Sequence, residues 1–166
     1  MTEEIQKLIA SLRLGESENP AEKIASLTAA LIEHTVDCAF LLSLLTAPQT
    51  SLRLAAIDAS RDRNEQDIAS QLARLVEDPE PRVRLKLAEV LKSRSDERAT
   101  QSLVKLIADS DPSVRAAAVQ SSAGRSGFRQ LQEKALLNDE NWNVTVAAVT
   151  ALEVDNSLDI RFEVTE

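Results

Sequence analysis

Apolar residues recur along the chain in short runs spaced three and four apart, the signature of helices with one buried face, and polar segments separate the runs. Ile5, Leu8, Ile9 and Leu12 form a first stripe, and Pro20 opens a second that carries Ile24, Leu27 and Leu31. From residue 38 onward the pattern copies itself. Apolar stretches at 38–46, 67–77, 98–108 and 128–137 each predict a first helix. Turns follow that contain Asp78-Pro79, Asp111-Pro112 or Asp139-Glu140-Asn141, and a second helix is predicted to begin at Leu52, Val83, Val114 and Val144. Those anchors are separated by 31, 31 and 30 residues, so the chain is built from a helix–turn–helix unit. The turn chemistry agrees: proline in the first turn of a helix forfeits no hydrogen bond, and Asp or Ser beside it caps the free amides. Polar connectors such as Ser93-Arg94-Ser95-Asp96-Glu97 and Ala123-Gly124-Arg125-Ser126-Gly127 lead from one unit to the next.

An Asp-Pro turn followed by Val-Arg and an Ala-rich helix resembles the HEAT repeats, and the short period is similar to the compact HEAT-like units of phycobilisome lyases. The resemblance covers residues 36–152. It implies an all-α fold, a right-handed α-α superhelix of about five helical hairpins in a single domain spanning 1–166. Units are expected at 36–63, 67–93, 98–123 and 128–153, with residues 3–33 as a degenerate repeat capping the N-terminal end. The segment 154–166 fits no unit. Its alternation Ile160-Arg161-Phe162-Glu163-Val164 allows a short extended strand, but a frayed end is the preferred reading.

Two columns of the aligned units carry charge. One reads Ala47, Asp78, Asp109, Asp139, and another, six residues on, reads Arg53, Arg84, Arg115, Thr145. Pairing within units would orphan Arg53 and Asp139. Pairing each arginine with the aspartate of the following unit orphans none: Arg53–Asp78, Arg84–Asp109 and Arg115–Asp139. An inter-repeat ladder is therefore expected, similar to the Asp/Arg ladder of HEAT proteins, with independently solvated surface charges as the alternative.

The second helices also sort by face. Four, five, seven and eight residues after the anchor the positions are apolar or small, as in Leu87, Ala88, Val90 and Leu91, and are expected to point into the stack. The sixth position is polar in every unit: Asp58, Glu89, Gln120 and Thr150. Beside it run Leu54, Leu85, Ala116, Val146 and Ala55, Lys86, Ala117, Ala147. Leu54, Leu85, Lys86 and Val146 with the polar column would form a strip on the concave side able to hold a helix or extended peptide; the alternative is that the apolar members only pack against neighbouring units. Trp142 occupies the column of Pro81 and Pro112. It is expected to cover the end of the core, with an exposed interface residue as the alternative.

Composition narrows the partners. The net charge of −8 and pI of about 4.8 repel phosphate backbones, and the basic residues are scattered singly among acids, so nucleic acid is not an expected ligand. That also argues against the HEAT-like DNA glycosylases, which need a basic concave face. No stretch approaches a membrane span, and one cysteine, Cys38, forms no internal disulfide, so a cytoplasmic protein is expected. Candidate chemistry is sparse. His34 and Cys38 stand four apart and would share a face on a continuous helix, but the segment lies at a unit junction, and two ligands do not make a metal site. The glycines, Gly15, Gly124 and Gly127, form no phosphate-binding loop. The expectation is a non-catalytic scaffold with no cofactor that binds another protein. The lyase resemblance adds an alternative, an accessory subunit handling a bilin or other prosthetic group, against which stands the scarcity of aromatic residues.

Overall fold

The computed structural model describes residues 2–14, 19–34 and 36–154. Ten α-helices follow one another among them: α1 (Glu3–Leu14), α2 (Pro20–Glu33), α3 (Cys38–Leu45), α4 (Thr50–Ala59), α5 (Gln66–Arg74), α6 (Pro81–Leu91), α7 (Glu97–Ile107), α8 (Pro112–Ser121), α9 (Arg129–Asn138) and α10 (Trp142–Val154). A single 3₁₀ turn, Leu75–Glu77, extends α5. The described residues contain no strand, and the helices pack consecutively as five hairpins, the arrangement of an α-solenoid.

Local chemistry explains where the helices start. Pro20, Pro81 and Pro112 occupy first turns. Asn19, Asp37, Asp96 and Asp111 accept hydrogen bonds from the amides of Glu22, Phe40, Ala99 and of Ser113 with Val114. The second helices begin two residues ahead of the anchors Leu52, Val83, Val114 and Val144, because the proline column, and Trp142 within it, is already helical. The anchors themselves are fully buried. Glu153 and Val154 belong to α10, while the rest of the tail, with its Ile160–Val164 alternation, lies outside the described residues.

The two helices of a unit do different work. A first helix buries one stripe: Ile68 and Leu72 in α5, Ala99, Leu103 and Leu106 in α7. A second helix is enclosed on three sides, so α6 buries Val83, Leu87, Ala88, Val90 and Leu91. Second helices contact one another along the whole array, α2 with α4, α4 with α6, α6 with α8, and α8 with α10. First helices meet mainly in the middle, α3 with α5 and α5 with α7. The most extensive helix contact is between α8 and α10, where Val119 is buried in one cluster with the small side chains of Ala148 and Ala151. The apolar core is continuous from Ile5 to Phe128, and Ile107 packs both against it and against the smaller cluster beneath α10.

Leu87 is fully buried at the centre of the array. Leu87→Ala should lower stability by about 2–5 kcal/mol through lost burial and a residual cavity, read as a lower urea midpoint with helicity retained in water.

Candidate functional site

The turn side of the stack carries the charge ladder. Arg53 Nε lies 2.8 Å from Asp78 Oδ2 and its Nη2 donates to Oδ1 at 2.9 Å. Arg84 grips Asp109 through Nε and Nη2 at 2.7 and 2.8 Å, and Arg115 grips Asp139 at 2.8 and 2.9 Å. Each arginine thus reaches the aspartate of the following unit. It also holds its own turn. Nη1 of Arg53, Arg84 and Arg115 donates to the carbonyls of Ala47, Asp78 and Asp109 at 2.9, 2.7 and 3.0 Å. Ala47 fills the first place in the acid column without harm, since only its carbonyl is used. The carboxylates serve a second purpose as well. Asp78, Asp109 and Asp139 accept the amides of Glu80, Asp111 and Asn141, closing the turn before the second helix.

In the Arg84–Asp109 and Arg115–Asp139 pairs the contacts move the acidities of both partners. The Asp109 bonds push the Arg84 pKa up, and the Asp139 bonds do the same for Arg115. Burial works to raise the Asp109 pKa, but the bond from Arg84, the Asp111 amide and the charges of Arg84 and Arg115 outweigh it and hold the carboxyl below its ordinary range. At Asp139 the Arg115 bond dominates and lowers the pKa.

A second arginine series lies at the opposite ends of the helices, in the connectors, and went unread in the sequence although Arg63, Arg94 and Arg125 repeat at an unbroken 31-residue step. These side chains reach backward. Arg63 donates to the Val36 carbonyl at 2.9 Å, and Arg94 to the carbonyls of Arg63 and Ser60 at 2.6 and 3.4 Å. Arg125 donates to the carbonyls of Leu91 at 2.5 Å, Lys92 and Arg94. For Arg94 and Arg125 the acceptors Ser60 and Leu91 are carbonyls at helix C-termini, which lack a partner four residues on, so these two cations sit where the helix dipole favours them.

On the second-helix face the predicted residues divide. Lys86 bridges Asp58 at 3.3 Å and Glu89 at 2.8 Å, joining α4 to α6. Burial pulls the Lys86 pKa down, but these two carboxylates more than offset it and hold it above its ordinary value. Leu54 and Leu85 are half-buried and pack against the core. Gln120 and Thr150 are exposed, and Val146 is 43 % exposed. Trp142 does not cover the end of the core: it is 75 % exposed, one helical turn before Val146 on α10, with Leu137 at 79 % on the preceding helix. The anchor Val144 already seals that end, and the first turn of a second helix projects its side chain outward.

Groups able to do chemistry are dispersed. His34 caps the C-terminus of α2 whereas Cys38 is the first residue of α3, so no helix face unites them. No group of three or more metal-ligating side chains occurs among the described residues. No helix among them is long and apolar enough to cross a membrane.

Stacked hairpins joined by repeated arginine bridges define a helical-repeat solenoid. The HEAT repeats family matches residues 38–123, just over half of the chain, and the chain belongs to that family. The match stops before α9, yet the ladder continues with unchanged geometry to Asp139. No curated protein and no solved structure matches the chain. HEAT repeats generally mediate protein–protein interaction and are typically non-catalytic.

Asp109→Ala should destabilise the stack by about 1.5–3 kcal/mol, the range for hydrogen bonds to charged groups. A double-mutant cycle with Arg84→Met should recover most of that as coupling between the pair. Because the native pKa values of Asp109 and Asp139 are depressed, their contribution is complete above about pH 4, the unfolded range, and is lost as pH falls through the native values. Melting curves recorded from roughly pH 6 down to roughly pH 2 should therefore show a shallower acid decline in Asp109→Ala than in the parent. Acrylamide should quench Trp142 emission in the folded chain nearly as well as in the denatured chain, given its 75 % exposure.

Proposed function

We propose that this chain is a non-catalytic adaptor that holds a segment of a partner protein along the second-helix face. The observation that carries this reading is the graded strip on α4, α6, α8 and α10. It is charged at Asp58, Lys86 and Glu89, polar at Gln120 and Thr150, and apolar at Val146 and Trp142, where the side chains stand farthest into solvent. The packing of the helices supports the same face. Second helices contact their successors along the whole array and first helices less so, as on the inner side of a bent two-layer stack. Leu54 and Leu85 contribute partly exposed apolar surface between the charges.

The exposed Trp142 is the natural anchor, since large aromatic side chains dominate binding energy when a partner removes them from water. An acidic chain of net charge −8 favours a protein partner over nucleic acid, and the free thiol of Cys38 is in keeping with the cytoplasm. The alternative of handling a bilin or another planar prosthetic group has less to support it. Of the aromatic rings described, Phe128 is buried, Phe40 is half-buried, and Trp142 stands alone in solvent with no second ring to complete a stack.

Affinity purification with quantitative mass spectrometry tests the proposal. Proteins retained by the parent chain should fall at least about tenfold with Glu89→Lys combined with Val146→Asp, and with Trp142→Ala alone, the loss expected for a hot spot. Circular dichroism should show unchanged helicity, because all three side chains are exposed. Retention that survives both variants would place the partner elsewhere. A bilin titration that perturbs the chromophore spectrum would support the alternative instead.

A further inference from the structure

The connector arginines are not equivalent, and the difference marks a site. Arg63 turns one edge toward the preceding unit and the other toward Glu65, at 2.6 and 2.8 Å. Arg94 does the same with Asp96, at 3.2 Å. Two residues after Arg125 stands Gly127, so the acid of the column is missing. The Arg125 Nε donates to Ser121 O and its Nη2 to the preceding unit, while Nη1 has no partner and no carboxylate lies in ion-pair range among the described residues. Gly127, at φ +86°, leaves open space where a side chain would begin.

Arg125 itself lines an open cavity of about 370 Å³ together with Lys92, Ser93, Arg94, Ser95 and Ser126, among others. Of the three cations in its lining, Arg94 is paired with Asp96, while Lys92 and Arg125 have no ion-pair partner in a chain whose net charge is −8. Lys92 Nζ and the hydroxyls of Ser95 and Ser126 have no side-chain partner there. Burial pulls the Arg125 pKa down and the charge of Asp96 offsets only part of it, the opposite of Arg63, Arg84 and Arg115, which their carboxylates push up. The cation is held in place by backbone carbonyls, so its position does not depend on a ligand.

We propose that this cavity receives an Asp or Glu side chain from an acidic segment of a protein partner, the carboxylate accepting from Arg125 Nη1, the one guanidinium nitrogen that no backbone carbonyl holds. Charge complementarity argues for the occupant: the N–H donors of one guanidinium nitrogen, an ammonium and two hydroxyls suit a carboxylate. The site lies on the connector side of the stack and stands independently of the second-helix strip.

The test is a ¹⁵N NMR titration of the full chain with the peptide acetyl-Glu-Glu-Glu-Glu-amide. Saturable shifts are expected at residues 92–95 and 123–128 and at the Arg125 Nε–H, weakening with added salt. The glutamine analogue should leave them unmoved. Lys92→Glu should weaken binding by about fivefold or more, the scale of one exposed charge contact. Ser126→Glu, which supplies a carboxylate within the chain, should abolish peptide shifts while raising the melting temperature. Both positions are exposed and neither side chain joins the ladders, so folding is preserved. Three outcomes overturn the proposal: absent or unsaturable shifts, equal binding by Ser126→Glu, or inorganic phosphate binding the cavity more tightly than the peptide.

Discussion

A helical hairpin of this size cannot bury its own apolar face, so everything in the structure depends on holding each unit at a fixed distance and angle from the next. The arginine of the turn does this because a guanidinium offers five donors on a rigid fork. One corner grips the carbonyl of its own turn and the opposite edge grips the carboxylate of the following unit. That carboxylate in turn closes the turn it belongs to by accepting a backbone amide two residues on. Turn shape and neighbour position are therefore one constraint. A hydrophobic interface alone would allow α6 to slide or roll against α8, whereas a two-point arginine–carboxylate contact tolerates little of either.

The connector arginines complete the restraint from the other ends of the helices and in the opposite chain direction. Turn arginines reach forward to acids, and connector arginines reach back to backbone carbonyls of the preceding connector and, for Arg94 and Arg125, of a helix C-terminus. Every interior unit is consequently held at both ends by charge-assisted bonds, with the apolar core between. Such contacts satisfy polar groups that would otherwise be costly to bury. They also occupy much of the positive charge of an acidic protein, which is why a cavity lined by Lys92, Arg94 and Arg125 with no carboxylate stands out against the rest of the surface.

The first and last of the described second helices differ from those between them. The terminal second helices, α2 with 14 residues and α10 with 13, are longer than α4, α6 and α8, which have 10 or 11. The turn before α10 exchanges proline for Trp142. Extra length enlarges the surface that a terminal helix offers, and on α10 that surface carries Trp142, Val146 and Thr150. The arginines and buried apolar residues hold the units together, and the side chains left over on the second helices and connectors face outward.

The period of the chain was legible in the sequence because each unit must satisfy the same local physics: an apolar stripe spaced for a helix, a proline or Asp to start the next, an anchor to bury. The family followed from it, as did the assignment of Arg53, Arg84 and Arg115 to aspartates one unit ahead, since that register alone left no charge unmatched. Other features lay beyond it. Arg63, Arg94 and Arg125 repeat as regularly, but their acceptors are backbone carbonyls, which every residue has and no column of letters distinguishes. Trp142 is as apolar as a core residue, and only the placement of Val144 behind it turned the ring outward. Lys86 reads as a surface charge until α4 brings Asp58 beside it. Sequence determined which residues repeat, because helix formation and capping are local; tertiary structure decided which repeated residues touch and which remain free, because that depends on the distance between neighbouring helices.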